Sequence, residues 1–502
     1  MIRLALIFLL VLQSEVVQLR TPASFSSLAP SIWQTTGLPK GQLIERVVCV
    51  NNPDQSYALY LPSNYSPDRK WPILYAFDPG ARGKVPVERF KEAAEKYGWI
   101  VAGSNNSRNG AFQPSVDAWN AIVKDTHDRL AIDDARVYVT GFSGGARLAI
   151  HLAMLCNDCV AGVIACGAGF PPGVVPSSAN HFFFFGTAGF EDFNFPELRN
   201  LDQPLTKAGI THRIRAFDGR HEWAPADVAT EAVEWMELNA MSGRKRSRDG
   251  ALVESIWQKQ LQRAQGLADS KKFYEAYQTY AGMVETFKGL RDAEGAEKET
   301  GQLRENRAVT EAINDEQRQI KKQRDLEKQI GALIAARGRT DNSEESNAPA
   351  TGGPPDINAP QEKSVPLDPG TRLDAIIAEL RKQSHAAADS SDRRIARRVL
   401  EGLYIGLFEQ GLNQLQTQKL FLAAVNTFKF ATEVNPDRSG AFFYLAWAHA
   451  ASGDKKKSLK ALKTAVDKGF TDLAAIAENK AFDSIHNDPQ YQQVIEILKN
   501  KH

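Results

Sequence analysis

The sequence predicts an α/β domain built on a mostly parallel eight-stranded sheet, followed by all-α helical hairpins. Three observations carry this expectation. Short β-branched or aromatic runs alternate with helical patterns between about residues 41 and 241. From 250 to 336 proline is absent and apolar residues recur at helical spacing, as in Leu261, Ala264, Leu267 and Ala268, or Ile320, Leu326, Ile330, Leu333 and Ile334. Beyond a stretch rich in Pro, Gly, Asn, Ser and Glu, helical periodicity returns from Arg372 to the end. The boundaries that follow are an α/β domain over 41–243, a helical segment over 250–336 that is open to a repeat-like reading, a disordered linker over 337–371 and a helical domain over 372–500. At 502 residues the chain has room for about three domains.

The strands are expected at 45–50, 57–61, 73–77, 100–103, 137–140, 162–166, 182–185 and 213–217. Five of them are the continuous apolar runs of strands buried on both faces. Helical patterns at 87–97, 115–130, 144–155 and 196–208 separate the later strands, and one at 227–238 follows the last. Strand and helix in alternation, after an opening antiparallel hairpin, imply helices on both faces of the sheet. In such a sheet the reactive residues lie at the carboxyl ends of the strands.

Ahead of this domain, Met1-Ile2-Arg3 is a short basic start to an apolar run from Leu4 to Leu12. A bilayer span needs ~20 apolar residues, so no stable span is expected, and residues 1–20 read as a secretory signal or an apolar N-terminal segment. Export, periplasmic or secreted, follows as an expectation. The 61 Lys and Arg against 60 Asp and Glu leave a net charge of +1, without the excess that phosphate-backbone binding needs, so nucleic acid is not an expected partner. With 43% hydrophobic and 24% charged residues the chain is not disordered as a whole, and 4 Cys do not make a disulfide scaffold.

The fifth strand runs directly into Gly141-Phe142-Ser143-Gly144-Gly145, and a helix follows. Strand, Gly-x-Ser-x-Gly and helix in succession make a nucleophile elbow, whose glycines let strand and helix crowd a strained serine outward. Ser143 is the candidate nucleophile. A serine needs a base to take its proton and an acid to orient that base. Of the domain's histidines, His127 and His151 lie within helices, and His181 and His212 precede strands. Only His221 follows a strand, where it can reach the carboxyl edge. The same positional argument selects Asp192, after the seventh strand, with Glu191 as its rival. The oxyanion hole should combine the N–H of Gly144 with one from the loop Asp78-Pro79-Gly80-Ala81-Arg82, where Pro79 has none to give and Gly80 or Ala81 is left. Arg82 could favour an acidic substrate or simply be solvated.

These residues resemble the α/β-hydrolase superfamily, and more narrowly its small serine esterases related to dienelactone hydrolase, polyhydroxybutyrate depolymerase and feruloyl esterase. The resemblance rests on the elbow at Ser143, the chain order Ser143, Asp192, His221, and the ending Arg220-His221-Glu222-Trp223. It implies a carboxylic ester hydrolase without cofactor. Dienelactone hydrolases proper carry Cys at the elbow, so Ser143 argues against that reaction, and Asp78-Pro79 replaces the His-Gly pair often found after the third strand. Only 167–180 intervene between the sixth and seventh expected strands, too few for a helical cap. An open site suited to small-molecule or polymeric esters is the expectation.

Other chemistries fail on spacing. His221-Glu222 has no second His for a zincin site, so no metal is expected, and Gly83-Lys84 lacks the preceding glycine of a phosphate loop. Cys156-x-x-Cys159 ends a helix, where the dipole disfavours a thiolate, so buried thiols or, after export, a disulfide explain it better than redox catalysis. Cys49 and Cys166 fall in strands and read as core.

In the last segment, 412–435 and 440–466 each read as a helical hairpin, with turns at Asn435-Pro436-Asp437 and Ser452-Gly453-Asp454, and 470–491 as a cap. Small residues where helices touch, a Gly-Asp turn and a closing Asn-Pro resemble tetratricopeptide repeats of ~34 residues. That resemblance implies a protein or peptide partner. Two further readings stay open: a binding scaffold that uses a hydrolase-like domain without catalysis, and a serine peptidase with the same three residues.

Overall fold

Every side chain of the run Trp71–Phe77 is buried, and so is every one of Ile100–Ser104 and Gly162–Cys166, the pattern of strands covered on both faces. The computed structural model describes residues 37–156, 158–344 and 368–500, without the side chains of 338–344. The N-terminal segment expected at 1–20 and most of the linker expected at 337–371 lie outside these residues. Two units result, one ending at Ile320 and the other beginning at Lys321.

The first unit runs β1 (Leu43–Cys49), β2 (Asn52–Tyr60), β3 (Trp71–Phe77), α1 (Lys84–Tyr97), β4 (Ile100–Ser104), α2 (Phe112–Arg129), β5 (Ile132–Phe142), α3 (Gly144–Leu155), β6 (Gly162–Cys166), β7 (Phe183–Gly189), α4 (Phe195–Arg199), α5 (Asp202–Ala208), β8 (His212–Phe217) and α6 (Ala226–Ser242). The strands form one sheet in the order β1-β2-β4-β3-β5-β6-β7-β8. β1 pairs antiparallel with β2 and β2 with β4, and all later pairs are parallel. This is the mostly parallel eight-stranded sheet that the sequence predicts. Alternation along β3 divides the core in two: Ile73, Tyr75 and Phe77 pack with Trp119 of α2 and Leu148 of α3, while Leu74 packs with Phe90 of α1 and Trp235 of α6.

One predicted helix, 196–208, is two. A continuous helix would need an N–H from Pro204 for the carbonyl of Asn200, and proline has none. The chain breaks between α4 and α5, and Pro204 falls in the first turn of α5, where its missing donor costs nothing.

The helices that follow are α7 (Gly250–Asp269), α8 (Phe273–Thr286), α9 (Glu294–Glu305) and α10 (Arg307–Glu344). The sequence boundary between 243 and 250 does not separate two bodies. Leu238 and Met241 at the end of α6 share a core with Val253, Ile256 and Trp257 of α7 and with Met283 and Phe287 beyond it. Arg263 of α7 also reaches Glu231 of α6 at 2.8 Å. The division between units falls at Ile320, inside α10, rather than at the expected 336.

The second unit holds α11 (Pro369–Ser384), α12 (Ser391–Leu412), a π turn at Asn413–Thr417, α13 (Phe421–Val434), α14 (Ser439–Ala451), α15 (Lys455–Asp467), α16 (Leu473–Ala477), a 3-10 turn at Lys480–Ile485 and α17 (Pro489–Lys499). The hairpin expected over 412–435 is corrected: Leu412 ends a helix rather than starting one, and the partners are α12 and α13. The hairpin over 440–466 is α14 with α15. Its turn uses Gly453 at φ 88° and Asp454, whose side chain accepts the N–H of Lys457 at 3.1 Å and caps α15. Buried Ser458 donates to the carbonyl of Ala446 at 2.9 Å, so the two helices touch through small residues.

Candidate active site

β5 delivers Ser143 at its carboxyl end with φ 53° and ψ −119°, a conformation that costs a non-glycine residue about 1–3 kcal/mol. The neighbours explain why it persists. A Cβ at position 141 would collide with the carbonyl of Gly145, and one at 145 with the carbonyl of Phe77. Two glycines therefore let α3 press against β5 and β3 and thrust the serine outward, while the Ser143 N–H donates to the carbonyl of Cys166 at 2.8 Å.

The loop after β8 brings His221 to this point. Its Nε2 lies 2.9 Å from Ser143 Oγ and its Nδ1 lies 2.9 Å from Asp192 Oδ1. An ionised carboxylate only accepts, so Nδ1 carries the proton and Nε2 is left to accept from the serine hydroxyl. The ring sits between Phe142, at 4.6 Å, and Phe193, at 4.3 Å. Asp192 is fully buried, and its Oδ1 also accepts the Asn194 N–H at 2.8 Å. Burial pushes its carboxyl above the usual range, and the attraction of His221 opposes that rise. Of the two acids considered, Asp192 meets the imidazole, whereas Glu191 pairs with Arg220 at 3.4 Å. The other histidines are held elsewhere: His127 by the Val123 carbonyl and Asp134, His181 by Asp158, His212 by Asp202, and His151 against the Phe112 ring.

The loop after β3 departs from expectation. Asp78 is 1% exposed and gathers the polar groups around it. Its Oδ1 accepts the Gly80 N–H at 2.9 Å and Arg82 Nε at 2.8 Å, and its Oδ2 accepts an Arg82 terminal nitrogen at 3.0 Å and Trp223 Nε1 at 2.9 Å. The Ala81 N–H turns back to the Asp78 carbonyl at 3.1 Å. The Gly80 and Ala81 amides, the two alternatives for the second oxyanion donor, thus each have an acceptor within the loop, and Arg82 pairs with Asp78. Gly144, as the first residue of α3, has an N–H without an intrahelical acceptor.

Sequence reasoning named Asp78 and Trp223 without seeing that they meet, and overlooked the two phenylalanines against His221. One signal was available for the first: Asp-Pro-Gly at a strand end is a turn in which the aspartate caps the amide two residues on. A cavity of about 130 Å³ flanks Gly144, lined by Phe77, Pro79, Asn109, Phe112 and Leu148 among others. Among the described residues no group of three or more His, Cys, Asp and Glu is arranged to hold a metal ion, and no helix is long and apolar enough to cross a membrane. Cys156 and Cys159 form a disulfide, and Cys49 and Cys166 are buried thiols.

No protein-family model matches the chain, and no curated protein does. Among solved structures, it is similar to S-formylglutathione hydrolase from Staphylococcus aureus, at 14% identity and a TM-score of 0.33, over 40% of this chain and 99% of that one. It is similar to an esterase from Pyrobaculum calidifontis at 14% identity and a TM-score of 0.34, over 40% of this chain and 87% of that one. A ferulic acid esterase is similar at 16% identity and a TM-score of 0.34, over 39% of this chain and 97% of that one.

Proposed function

We propose that the protein is an exported serine hydrolase acting on carboxylic esters, with Ser143 as nucleophile, His221 as general base and acid, and Asp192 as its orienting acid. The observation that carries this reading is the unbroken chain of contacts from Ser143 Oγ to His221 to Asp192, 2.9 Å at each step. Ser143 Oγ adds to the ester carbonyl as its proton passes to His221 Nε2, and Asp192 stabilises the imidazolium. The tetrahedral oxyanion turns to the Gly144 N–H at the start of α3. Collapse expels the alcohol, which takes the proton from Nε2 and leaves an acyl-serine. A water molecule, deprotonated by the same nitrogen, then releases the acid and restores the serine.

The segment between β6 and β7 contains no helix, which supports small, aryl or polymeric esters over long lipids. Export is supported by the basic start with its apolar run and by the Cys156–Cys159 bridge, a bond that oxidising compartments preserve. The hairpins α12/α13 and α14/α15 support a tetratricopeptide-like module that takes a peptide or protein partner.

A fluorophosphonate probe tests the central claim. Labelling of the native protein that disappears in Ser143→Ala is the expected result, and folded native protein that takes no label returns the chain to the scaffold reading. A panel of p-nitrophenyl esters beside aminoacyl amides separates esterase from peptidase; turnover of the amides alone overturns the ester assignment.

A further inference from the structure

The two oxygens of the buried Asp192 carboxylate are held unequally. Among the described residues its Oδ2 has no hydrogen-bond partner, so Oδ1 alone meets both His221 Nδ1 at 2.9 Å and the Asn194 N–H at 2.8 Å. A carboxylate bonded through one oxygen is weakly restrained about its terminal side-chain bond, whose torsion is broad. The aim of Oδ1 must therefore come from the loop that carries it.

The end of β6 supplies that aim. Two consecutive carbonyls there each receive a donor from one side of the triad: Cys166 accepts the Ser143 N–H at 2.8 Å, and Gly167 accepts Asn194 Nδ2 at 2.7 Å. Nucleophile and acid are thus referred to the same stretch of backbone. Gly167 is itself fixed, since its N–H donates to the Thr187 carbonyl of β7 at 2.7 Å. Its φ of 66° suits glycine, and a Cβ there would lie 2.8 Å from the Phe142 ring and 3.1 Å from Asp192 Oδ2. Asn194 meets the acid through its main chain and the end of β6 through its side chain. It stands at the N-terminal boundary of α4, yet its side chain does not cap that helix, so capping does not account for an asparagine here.

We propose that Asn194 is a positioning residue for catalysis: its side-chain amide clips the Asp192 loop to the Gly167 carbonyl and so keeps Asp192 Oδ1 on His221 Nδ1. The inference rests on the serine hydrolase reading. Asn194 acts through Asp192 and not on the reacting atoms. Because the contact between Asp192 and the imidazole matters most once the imidazolium has formed, loss of the clip should fall on kcat rather than KM.

The test measures kcat and KM on p-nitrophenyl acetate, with thermal unfolding recorded for each variant. Asn194→Ala keeps the main-chain N–H and removes the clip; it is expected to lower kcat roughly 10- to 100-fold, the scale of a small misplacement of a catalytic group, with KM changed less than about threefold. Asn194→Asp keeps the shape but turns an acceptor toward a carbonyl, and should lose at least as much. A double-mutant cycle then separates positioning from mere support. In an Asp192→Asn background, Asn194→Ala should cost no more than about twofold in kcat, because a residue that acts through Asp192 has nothing left to position. A further loss of the full factor in that background overturns the proposal, and so does a native kcat in either single variant. In those cases Ser143 still takes a fluorophosphonate label and the serine reading stands, whereas a native protein that takes no label removes both. Should Asn194→Ala unfold, the isosteric Asn194→Asp takes its place in the same cycle.

Discussion

Two loops meet at Gly144, and different physics holds them. The elbow between β5 and α3 is fixed by main-chain sterics: strand, helix and the Phe77 carbonyl approach so closely that glycine alone fits at 141 and 145. The loop after β3 is fixed by one buried side chain, Asp78, which takes up the Gly80 amide, Arg82 and the indole of Trp223. The first kind of constraint leaves a mark in the sequence at fixed spacing. The second joins Asp78 to Gly80 and Arg82 nearby and to Trp223 far along the chain, and only the Asp-Pro-Gly turn marks it.

Substitutions that remove the chemistry give the largest expected effect. Ser143→Ala or His221→Ala should lower kcat by roughly 10⁶-fold, and Asp192→Asn by roughly 10⁴-fold through loss of the correct imidazole tautomer, each read on p-nitrophenyl acetate with the fold checked by circular dichroism. A drop of less than tenfold for Asp192→Asn would show that the tautomer is set by something other than this carboxylate.

The elbow's dependence on sterics is tested next. Gly145→Ala forces a methyl group onto the Phe77 carbonyl, an obstruction made of backbone that no rotamer change relieves. We expect a loss of about 3–4 kcal/mol in urea unfolding, beyond the usual range for overpacking, together with loss of activity. An alanine here that leaves stability within about 0.5 kcal/mol would mean that α3 slides freely on β3, against the rigid close contact described above.

The comparison predicts a different outcome at Asp78. Its removal in Asp78→Ala strands the Trp223 N–H and frees the Gly80 amide, at an expected cost of about 2–3 kcal/mol. Asp78→Asn retains the shape and part of the bonding, and should recover more than half of that. The side-chain hub predicts graded damage, whereas the steric elbow predicts an abrupt one.

The same contrast explains what could be read without coordinates. The bounds of β6 and α3 were legible because a continuous apolar run and a Gly-Gly start mark them locally. Ser143, Asp192 and His221 were assigned by position at strand ends, and the structure brings all three within hydrogen-bond reach. The engagement of Gly80 was marked only by the Asp-Pro-Gly turn, and the tie from the Asp78 carboxylate to Trp223, 145 residues on, was not legible at all. Nor was the joining of α7 to the sheet unit, because the apolar residues that decide it, Leu238 and Met241, read equally well as the inner face of α6. In the second unit, Leu412 sits in a helical pattern that continues on both sides, so periodicity could not tell the end of α12 from the start of a hairpin.

The last expected effect is confined to acid pH and lies far from the elbow. Glu231 on α6 is nearly buried and faces three guanidinium groups, Arg213 at 2.7 Å and Arg215 at 3.2 Å on β8 and Arg263 at 2.8 Å on α7. Burial alone would raise its pKa, but the three cations outweigh it and bring the carboxyl from an ordinary 4.5 to about 2. A carboxyl whose pKa is depressed on folding contributes its stability fully above the unfolded value and loses it as pH falls through the folded one. The window is therefore pH 4.5 down to about 2, and the contribution is about 3 kcal/mol at the upper end. Urea unfolding of the native protein against Glu231→Gln across that window should show the two stability curves converging as pH falls. Parallel curves would mean that the guanidinium groups find other acceptors and that α7 is joined to the sheet by its apolar contacts alone. Convergence would instead make Glu231 the counterpart of Asp78: one buried carboxylate that ties a helix, rather than a loop, to the edge of the sheet.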